Sequence, residues 1–424
     1  MGLSGKTGCT ADAVPGVIEK PYGLYPTITS FGADYGAEDY REWVEQSNGD
    51  PLPAPLALYV QEFSGDASAR LRVAGDVPAS LLPAISRELA LQGALFDVDR
   101  PLQQLVLSQS MVMQWDDDSL RRLLDVVRDA FPVHHSGIGN GCACIGVAIP
   151  VADRLHLLHA LGFNNLRFEL VDSAGMQGVL AGLGQSIDLA RQAGFRQIML
   201  DLRCSEALAE TTPTAMQEWL DRARPERIRY VDRSGVPSQS YELILSELGY
   251  RNIGMGWYTW ENDPLVRAQA AGLLHWFPLG YTDMPVPDVI GVGPGAVSSI
   301  GEFYGRNEPG WKIYQEALND SQLPIVCGIE LEADDVLRRE IMAMILAAGC
   351  IRVSAVEDKW GIRFKQFFAR ETEQLLDFEQ KGWLDWQQGM IRIRVRGYRE
   401  LVSICQAFDH RVRAQLSPPS RSCS

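Results

Sequence analysis

Three glycine–aromatic pairs constrain the fold of this chain more than any other feature of its sequence. The pairs are Gly162-Phe163, Gly194-Phe195 and Gly249-Tyr250. Each pair lies between a stretch with helical periodicity and a run of apolar residues. A glycine accepts the left-handed backbone that ends a helix, and the aromatic side chain can pack back on the last helical turn. The sequence therefore predicts, three times over, a helix that ends directly before a strand.

Further strand and helix patterns lie on both sides of these pairs. Strands are predicted over residues 56–63, 102–107, 142–149, 165–171, 197–202, 227–232 and 252–257, and helices over residues 78–95, 117–131, 153–161, 186–193 and 241–248. Helices that separate strands at intervals of about 25 to 45 residues indicate right-handed βαβ units and a parallel sheet. We therefore expect an α/β fold, a partial (β/α)6 barrel of the TIM type.

The composition changes after a glycine-rich segment at residues 291–295. Beyond a helix predicted over residues 334–348, the pattern predicts a helix at 372–380, strands at 382–385 and 390–395, and a helix at 399–408. A helix followed by a two-stranded ribbon is typical of a winged helix. We expect three parts: an N-terminal extension (1–50), the barrel (51–300) and a small, mainly helical, winged-helix-like C-terminal domain (301–424).

Charge and composition exclude several classes of protein. The chain has 54 Asp and Glu against 39 Lys and Arg, a formal charge of -15, which repels a phosphate backbone. Apolar runs of about 18 residues and a signal-peptide pattern are absent from the sequence. The eight cysteines are scattered, which is typical of reduced thiols. We expect a cytoplasmic protein whose partners include neither nucleic acid nor a membrane.

The densest set of potential metal ligands lies between residues 134 and 144. Imidazole and thiolate groups suit zinc or haem iron, and the set consists of His134, His135, Cys142 and Cys144. The alternative is structural. Cys142 and Cys144 would share one face of a strand, where thiols commonly fill a core, and the histidines would lie at the surface where a helix ends.

His275 is a second candidate, together with Tyr281 and Asp283. A histidine oriented by a carboxylate titrates near neutral pH and can act as an acid, a base or a haem ligand. The alternative is a histidine packed between Leu274 and Trp276.

Two other motifs favour structural interpretations. Three successive aspartates, 116–118, precede a predicted helix and fit its N-terminal cap better than a metal site. The glycines at 291, 293 and 295 do not open a helix after a strand, so they indicate a nucleotide site only weakly.

Six colinear segments together resemble a known family. They are 22–27 (YGLYPT), 58–60 (LYV), 249–255 (GYRNIGM), 273–281 (from LLH to GY), 291–298 (from GVG) and 338–339 (RR). Their order and spacing resemble those of the oxygen-independent coproporphyrinogen III oxidases, radical S-adenosylmethionine enzymes of tetrapyrrole synthesis. The resemblance covers nearly the whole chain and implies the barrel fold.

The resemblance also implies a four-iron cluster, held by a C-x3-C-x2-C loop directly after the first strand. Thiolates are the ligands that such clusters use. By alignment from Tyr59, the three ligand positions fall near Gly65, Ala69 and Arg72, and residues 61–72 contain no cysteine. We expect the cluster to be absent.

Positions that would hold S-adenosylmethionine also depart from the family. Residues 108–112 (SQSMV) replace a glycine-rich loop, Cys144 replaces a carboxylate, Val171 replaces a polar residue, and Leu183 replaces an arginine. Two residues, Tyr59 and Asp201, match family positions. The ligands that the family uses for both the cluster and the cofactor are thus predicted to be lost.

The sequence therefore predicts a catalytically degenerate relative, a pseudoenzyme of porphyrin biosynthesis and haem metabolism. A barrel mouth remains concave after catalysis is lost, so we expect a haem or porphyrin to bind there, with His275 as a possible contact. One alternative is an active oxidoreductase of the coproporphyrinogen III oxidase type. Another is an interaction module that binds an active paralogue.

Overall fold

The structure, a computed structural model, describes residues 23–62, 81–131, 140–146, 152–171, 176–204, 213–232 and 239–411. The strands of the large sheet are β1 Leu56–Val60, β2 Leu102–Leu107, β3 Asn140–Gly146, β4 Asn165–Val171, β5 Gln197–Cys204, β6 Arg227–Asp232, β7 Tyr250–Gly254, β8 Trp257–Trp260, β11 Asp288–Val292, β12 Val297–Ile300, β13 Phe303–Asn307 and β14 Ile325–Glu330. Two smaller sheets contain β9 His275–Phe277, β10 Gly280–Thr282, β15 Cys350–Arg352, β16 Leu384–Gln387 and β17 Met390–Ile393.

The helices alternate with the first six strands and dominate the C-terminal third. They are α1 Ala37–Asn48, α2 Leu81–Gly93, α3 Gln109–Gln114, α4 Asp117–Ala130, α5 Ala152–Ala160, α6 Met176–Ala193, α7 Pro213–Ala223, α8 Gln239–Glu247, α9 Pro264–Ala271, α10 Trp311–Asn319, α11 Ala333–Ala347, α12 Val353–Trp360, α13 Phe364–Phe367, α14 Ala369–Gln380 and α15 Tyr398–Phe408. None of these helices, in the part of the chain that the structure describes, is long and apolar enough to cross a membrane.

The large sheet is the partial α/β barrel that the sequence predicts. Its strand order is β14-β13-β12-β11-β1-β2-β3-β4-β5-β6-β8-β7. Strands β1 to β6 are parallel to one another, and β11 joins β1 in parallel on the other side. Parallel strands with helical crossovers place helices on the outer face of such a sheet. The predicted fold class is confirmed.

The three glycines that were predicted to end helices do so. Gly162, Gly194 and Gly249 have φ of 104°, 105° and 87°, all in the left-handed region. Strands β4, β5 and β7 begin one to three residues later. Because a side chain at these angles is strained, glycine sets where each helix stops.

Two apolar cores hold the molecule together. The outer core packs one face of the large sheet against the barrel helices and includes Leu58, Leu166, Leu200 and Ile228 from the strands. The second core lies in the C-terminal third and extends to β7 to β9, with members such as Trp257, Trp276, Ile341, Phe364 and Phe408. The β7–β8 region thus contacts both cores.

The prediction of one strand over residues 252–257 is wrong, because a hairpin forms there instead. Strands β7 and β8 pair antiparallel. The turn consists of Gly254, Met255 and Gly256, with φ of 117°, 50° and 72°. Three successive left-handed residues reverse the chain, which the apolar pattern did not reveal.

The large sheet also extends farther than predicted. Strands β12, β13 and β14 pair antiparallel to one another and continue the sheet to Glu330, whereas the sequence analysis placed the end of the barrel at residue 300. The division of the chain into domains stays a prediction. Beyond β14, helix α14, the β16–β17 ribbon and α15 match the predicted winged-helix-like order, with β15 as a third strand.

Candidate functional site

Alternate residues of the barrel strands face away from the outer core, into the barrel, and we call this the lumen face. On β1, Leu58 and Val60 belong to the outer core, whereas Ala57 and Tyr59 belong to a separate apolar cluster. This lumen cluster consists of Ala57, Tyr59, Val106, Cys142, Cys144, Phe277, Leu279 and Val289. Side chains alternate between the two faces of a strand, so the lumen cluster lies inside the partial barrel.

The β9–β10 hairpin packs its tip into the lumen cluster. Phe277 and Leu279 are 4% and 3% exposed there. Tyr281, on the same hairpin, packs in the second core and donates a hydrogen bond from its hydroxyl to the Leu346 carbonyl oxygen at 2.7 Å. The hairpin therefore links the barrel interior to the C-terminal third.

His275, the predicted tetrapyrrole contact, begins this hairpin. It is partly buried and pairs in register with Thr282. Strand alternation places its side chain on the face of Phe277 and opposite Trp276. The predicted grouping with Tyr281 and Asp283 does not form, because the Tyr281 hydroxyl contacts Leu346 and Asp283 is exposed.

A charged wall lies beside the lumen cluster, on β4 to β6. Asp201, which matches a family position, is 1% exposed and pairs with Arg229 of β6, whose Nη1 lies 3.1 Å from its Oδ2. Arg167 on β4 is 5% exposed, and Glu169 on the same strand is in register with Asp201. Buried charges remain charged where they have partners, so this wall is a preformed polar surface inside the barrel.

Cys142 and Cys144 lie where the lumen cluster meets the charged wall. They are 7% and 1% exposed, and Cys144 is in register with Arg167. The influence of each thiol on the other lowers the pKa of Cys142 and raises that of Cys144. The Arg167 guanidinium also favours a Cys142 thiolate.

The sequence analysis paired these cysteines with His134 and His135, which lie outside the described residues. Among the residues that the structure does describe, no group of three or more His, Cys, Asp or Glu side chains could hold a metal ion.

Positions that the resemblance assigns to cofactor binding are occupied by core residues. Ser108 lies at the N-terminal end of α3 without a side-chain capping bond, and Met111 and Val112 of this helix are fully buried in the outer core. Leu183 on α6 is 1% exposed in the same core. Gly65, Ala69 and Arg72 lie outside the described residues, as does the side chain of Val171.

Glu88 on α2 is a fully buried carboxylate that the sequence analysis missed. It accepts hydrogen bonds from the Gly293 amide at 2.8 Å, from Asn307 Nδ2 at 2.6 Å and from the Tyr314 hydroxyl. Burial raises its pKa to about 7. The hydrogen bonds of Glu88 thereby connect α2 to the loop after β11, to β13 and to α10.

The glycine-rich loop after β11 is explained by close backbone contact. A Cβ at Gly293, where φ is 110°, would lie 1.9 Å from the Gln61 carbonyl oxygen. The Gln61 side chain donates from Nε2 to the Pro294 carbonyl oxygen at 3.0 Å. The loop therefore packs directly against the end of β1, and Gly293 is required because a side chain there would clash with the Gln61 backbone.

The charged wall was also missed, although the sequence contains a signal for it. Arg167 and Glu169 alternate with Leu166 and Phe168 along one strand, and a period of two places the charged pair on one face. Because the strand is buried on both faces, this pattern would have indicated a polar interior.

Comparisons with known proteins agree with the resemblance. The chain is 25% identical over 437 residues to the oxygen-independent coproporphyrinogen III oxidase of Escherichia coli (strain K12), covering 92% of this chain and 93% of the relative. The corresponding Synechocystis protein is 26% identical over 433 residues, covering 92% and 91%. No family model matches the chain.

A solved structure supports the same relationship at the level of the fold. Coproporphyrinogen III oxidase (HemN) from Escherichia coli, described as a radical SAM enzyme, superposes with a TM-score of 0.76. The match covers 92% of this chain and 96% of that structure at 23% identity. The chain is therefore a homologue of the oxygen-independent coproporphyrinogen III oxidases along nearly its whole length.

Proposed function

We propose that this protein is a degenerate relative of the coproporphyrinogen III oxidases, without radical chemistry, which binds a tetrapyrrole as an accessory protein. The observation that carries the proposal is the distribution of cysteines. Between Cys9 and Cys142 the chain contains none, so the segment after β1 has no thiolate for the cluster that the resemblance implies.

The residues that replace the cofactor site support this proposal. Met111 and Val112 fill the outer core where the family has an open glycine-rich loop. Cys144, a core thiol, stands in place of a carboxylate, and Asp201 is engaged by Arg229. These residues do not fit S-adenosylmethionine and its cluster.

Three features favour a tetrapyrrole. The barrel interior combines an aromatic and apolar cluster with the arginines of the charged wall, Arg167 and Arg229. A macrocycle buries apolar faces, whereas its carboxylates form charge-assisted hydrogen bonds with guanidinium groups. The β9–β10 hairpin places His275 beside this interior, where an imidazole can ligate haem iron.

Anaerobic reconstitution with iron and sulfide is the direct test of lost radical chemistry. We expect iron and sulfide far below one cluster per chain and no broad visible absorption that bleaches on reduction. The triple variant Gly65→Cys, Ala69→Cys, Arg72→Cys is expected to show no turnover of coproporphyrinogen even if it takes up iron, because the cofactor contacts remain absent. Stoichiometric cluster in the unaltered chain would contradict the proposal.

Titration with ferric haem and with coproporphyrin tests the ligand. We expect a shifted Soret band and quenching of the emission of the ten tryptophans, with micromolar affinity. His275→Ala is expected to weaken haem binding about tenfold, while His156→Ala, on the exposed face of α5, leaves it unchanged. If neither ligand binds, an interaction module for an active paralogue becomes the better proposal.

A second candidate function is retained coproporphyrinogen III oxidase activity. It is favoured by 25% identity to a protein of that name over 92% of this chain. Conversion of coproporphyrinogen III by the reconstituted protein, abolished by omission of S-adenosylmethionine, would establish it in place of the first proposal.

A further inference from the structure

We propose that a pocket on the outside of the barrel binds a linear aliphatic diamine, whose two ammonium groups pair with two glutamates. The pocket has a volume of about 430 Å³ and lies between α8 and the β7–β8 hairpin. We call it the outer pocket, and its lining includes Glu242, Ser246, Tyr250, Asn252, Tyr258 and Glu261. The inference does not depend on the tetrapyrrole proposal, because none of these residues belongs to the lumen cluster or to the charged wall.

The outer pocket lies on the face of the sheet that is opposite the barrel interior. Tyr250 and Tyr258 line it and belong to the outer core, where they are 4% and 2% exposed. Trp257, the residue before Tyr258 on β8, belongs to the second core instead. Ser246 and Glu261 are exposed, so the pocket opens to solvent on the outside of the sheet.

Glu242 is oriented by a chain of hydrogen bonds on one side of the outer pocket. Its Oε1 accepts a hydrogen bond from the Tyr258 hydroxyl at 3.1 Å, and the same hydroxyl accepts one from Asn252 Nδ2 at 3.4 Å. Asn252 Oδ1 in turn accepts from the Gly254 amide at 2.9 Å. Because the carboxylate is already oriented, a cationic ligand loses less free energy in ordering it.

The second glutamate lies farther along the hairpin. Tyr258 pairs in register with Asn252, and Trp260 pairs with Tyr250. Two such rows, two residues apart, are separated by about 7 Å along a strand. The Tyr258 hydroxyl holds the first glutamate over one row, and Glu261 directly follows the other row. The spacing of the two rows suits the two nitrogens of a diamine such as putrescine or cadaverine.

Neither Glu242 nor Glu261 pairs with a cationic side chain within the described part of the chain, and Glu242 is half-buried. By contrast, Asp263 lies 3.0 Å from the Arg227 guanidinium. Arg251 also lines the outer pocket, but alternation along β7 directs its side chain away from the face of its two neighbours. A partly desolvated carboxylate without a counter-charge costs free energy, which a bound ammonium group would offset.

Charge and lining favour an organic cation over other ligands. Two carboxylates repel phosphates and carboxylic acids. Among the described residues, no group of three or more His, Cys, Asp or Glu side chains could hold a metal ion. Between the two glutamates, Ser246 offers a hydroxyl to an ammonium group, and the Tyr250 ring, stacked on Trp260 at 4.2 Å, offers apolar surface to an alkyl chain.

Calorimetric titration of the full-length chain with putrescine tests the outer pocket. Because the chain carries a formal charge of -15, the titration is performed at about 0.15 M salt, where exposed charges more than about 8 Å apart are largely screened. We expect one putrescine per chain. Binding should be about tenfold weaker for n-butylamine, which has the same carbon chain but a single ammonium group. Equal affinity for the two amines would overturn the assignment.

Isosteric variants test the two charges. Glu242→Gln keeps an acceptor for the Tyr258 hydroxyl, and Glu261→Gln changes an exposed side chain, so both variants should fold. Each should weaken putrescine binding about tenfold. Glu247→Gln is the matched control, because Glu247 is exposed on the same helix and contacts Gln217 rather than lining the pocket; it should leave the affinity unchanged. An equal loss in all three variants would show that net charge alone attracts the amine, and would contradict the proposal.

Hydrogen exchange of the unaltered chain, read by mass spectrometry, locates the ligand without any variant. Putrescine should slow amide exchange in peptides that cover residues 242–252 and 258–261, and should leave exchange in strands β3 and β4 unchanged. Uniform protection across the molecule, or no protection of the β7–β8 hairpin under saturating putrescine, would overturn the assignment.

Discussion

Replacing Glu88 with glutamine is expected to remove a pH dependence from the stability of the protein. Glu88 is completely buried, and its pKa of about 7 is well above that of a glutamate in an unfolded chain. Between these two pKa values the folded chain retains a proton that the unfolded chain has lost. Stability therefore falls as pH rises through this interval, and above pH 7 the loss is complete.

The size of the effect follows from the shift. Between pH 5 and pH 8, the free energy of unfolding of the wild type should fall relative to that of Glu88→Gln by about 2 to 3 kcal/mol. Other groups titrate equally in both proteins, so the difference isolates Glu88. Urea unfolding monitored by tryptophan emission at several pH values provides the measurement.

A carboxylate on the surface serves as the control. Glu316 on α10 is 60% exposed at its side chain, so Glu316→Gln should give a stability curve parallel to that of the wild type. If Glu88→Gln is also parallel to the wild type, Glu88 is ionised throughout and its hydrogen bonds fully compensate its burial.

Arg100→Met is expected to be the most destabilising single change that we propose. The Arg100 side chain is 0% exposed and lies 2.7 Å from Asp288 Oδ2. It also donates to the Ala54 carbonyl oxygen at 2.7 Å and to Asn48 Oδ1 at 3.0 Å. Methionine fills similar space but leaves the buried Asp288 carboxylate without its cationic partner, at a cost of about 3 to 5 kcal/mol.

Two comparisons test that explanation. Adding Asp288→Asn to Arg100→Met should recover part of the lost unfolding free energy, because it removes the unpaired charge. Arg128→Met breaks an ion pair whose side chains are 40% and 71% exposed, and it should change stability by less than about 1 kcal/mol. If Arg128→Met lowers the unfolding free energy as much as Arg100→Met does, burial of the Arg100–Asp288 pair is not the cause of the loss.

Local features of the sequence predicted the parallel strands β1 to β6 and part of the helices, whereas α1, α7, α9 and α10 were not predicted. Gly162 and Gly194 end helices because glycine adopts their left-handed backbone angles without strain, whereas other residues do not. This preference depends only on residues adjacent in the chain. Asp116 caps α4 by accepting a hydrogen bond from the Ser119 amide at 2.8 Å, as the spacing predicts. Strand β2 also has the predicted bounds, Leu102–Leu107.

The candidate site depended more on contacts between distant segments. The spacing of Cys142 and Cys144 indicated that both lie on one face of a strand. Their neighbour Arg167 was not predicted, because the register between β3 and β4 determines which residue lies beside Cys144. The grouping of His275 with Tyr281 was wrong, since Tyr281 packs toward α11 rather than toward the histidine.

The sequence by itself determined where several helices stop, that strands alternate with helices, and that residues 61–72 directly after β1 contain no cysteine. Each of these depends on residues adjacent in the chain. The tertiary structure decided which strand faces meet inside the barrel and that Glu88 contacts Gly293 and Tyr314, more than 200 positions away. It also decided that Phe277 enters the lumen cluster. Such contacts depend on which distant segments bury apolar surface against each other, and the pattern of adjacent residues does not determine that.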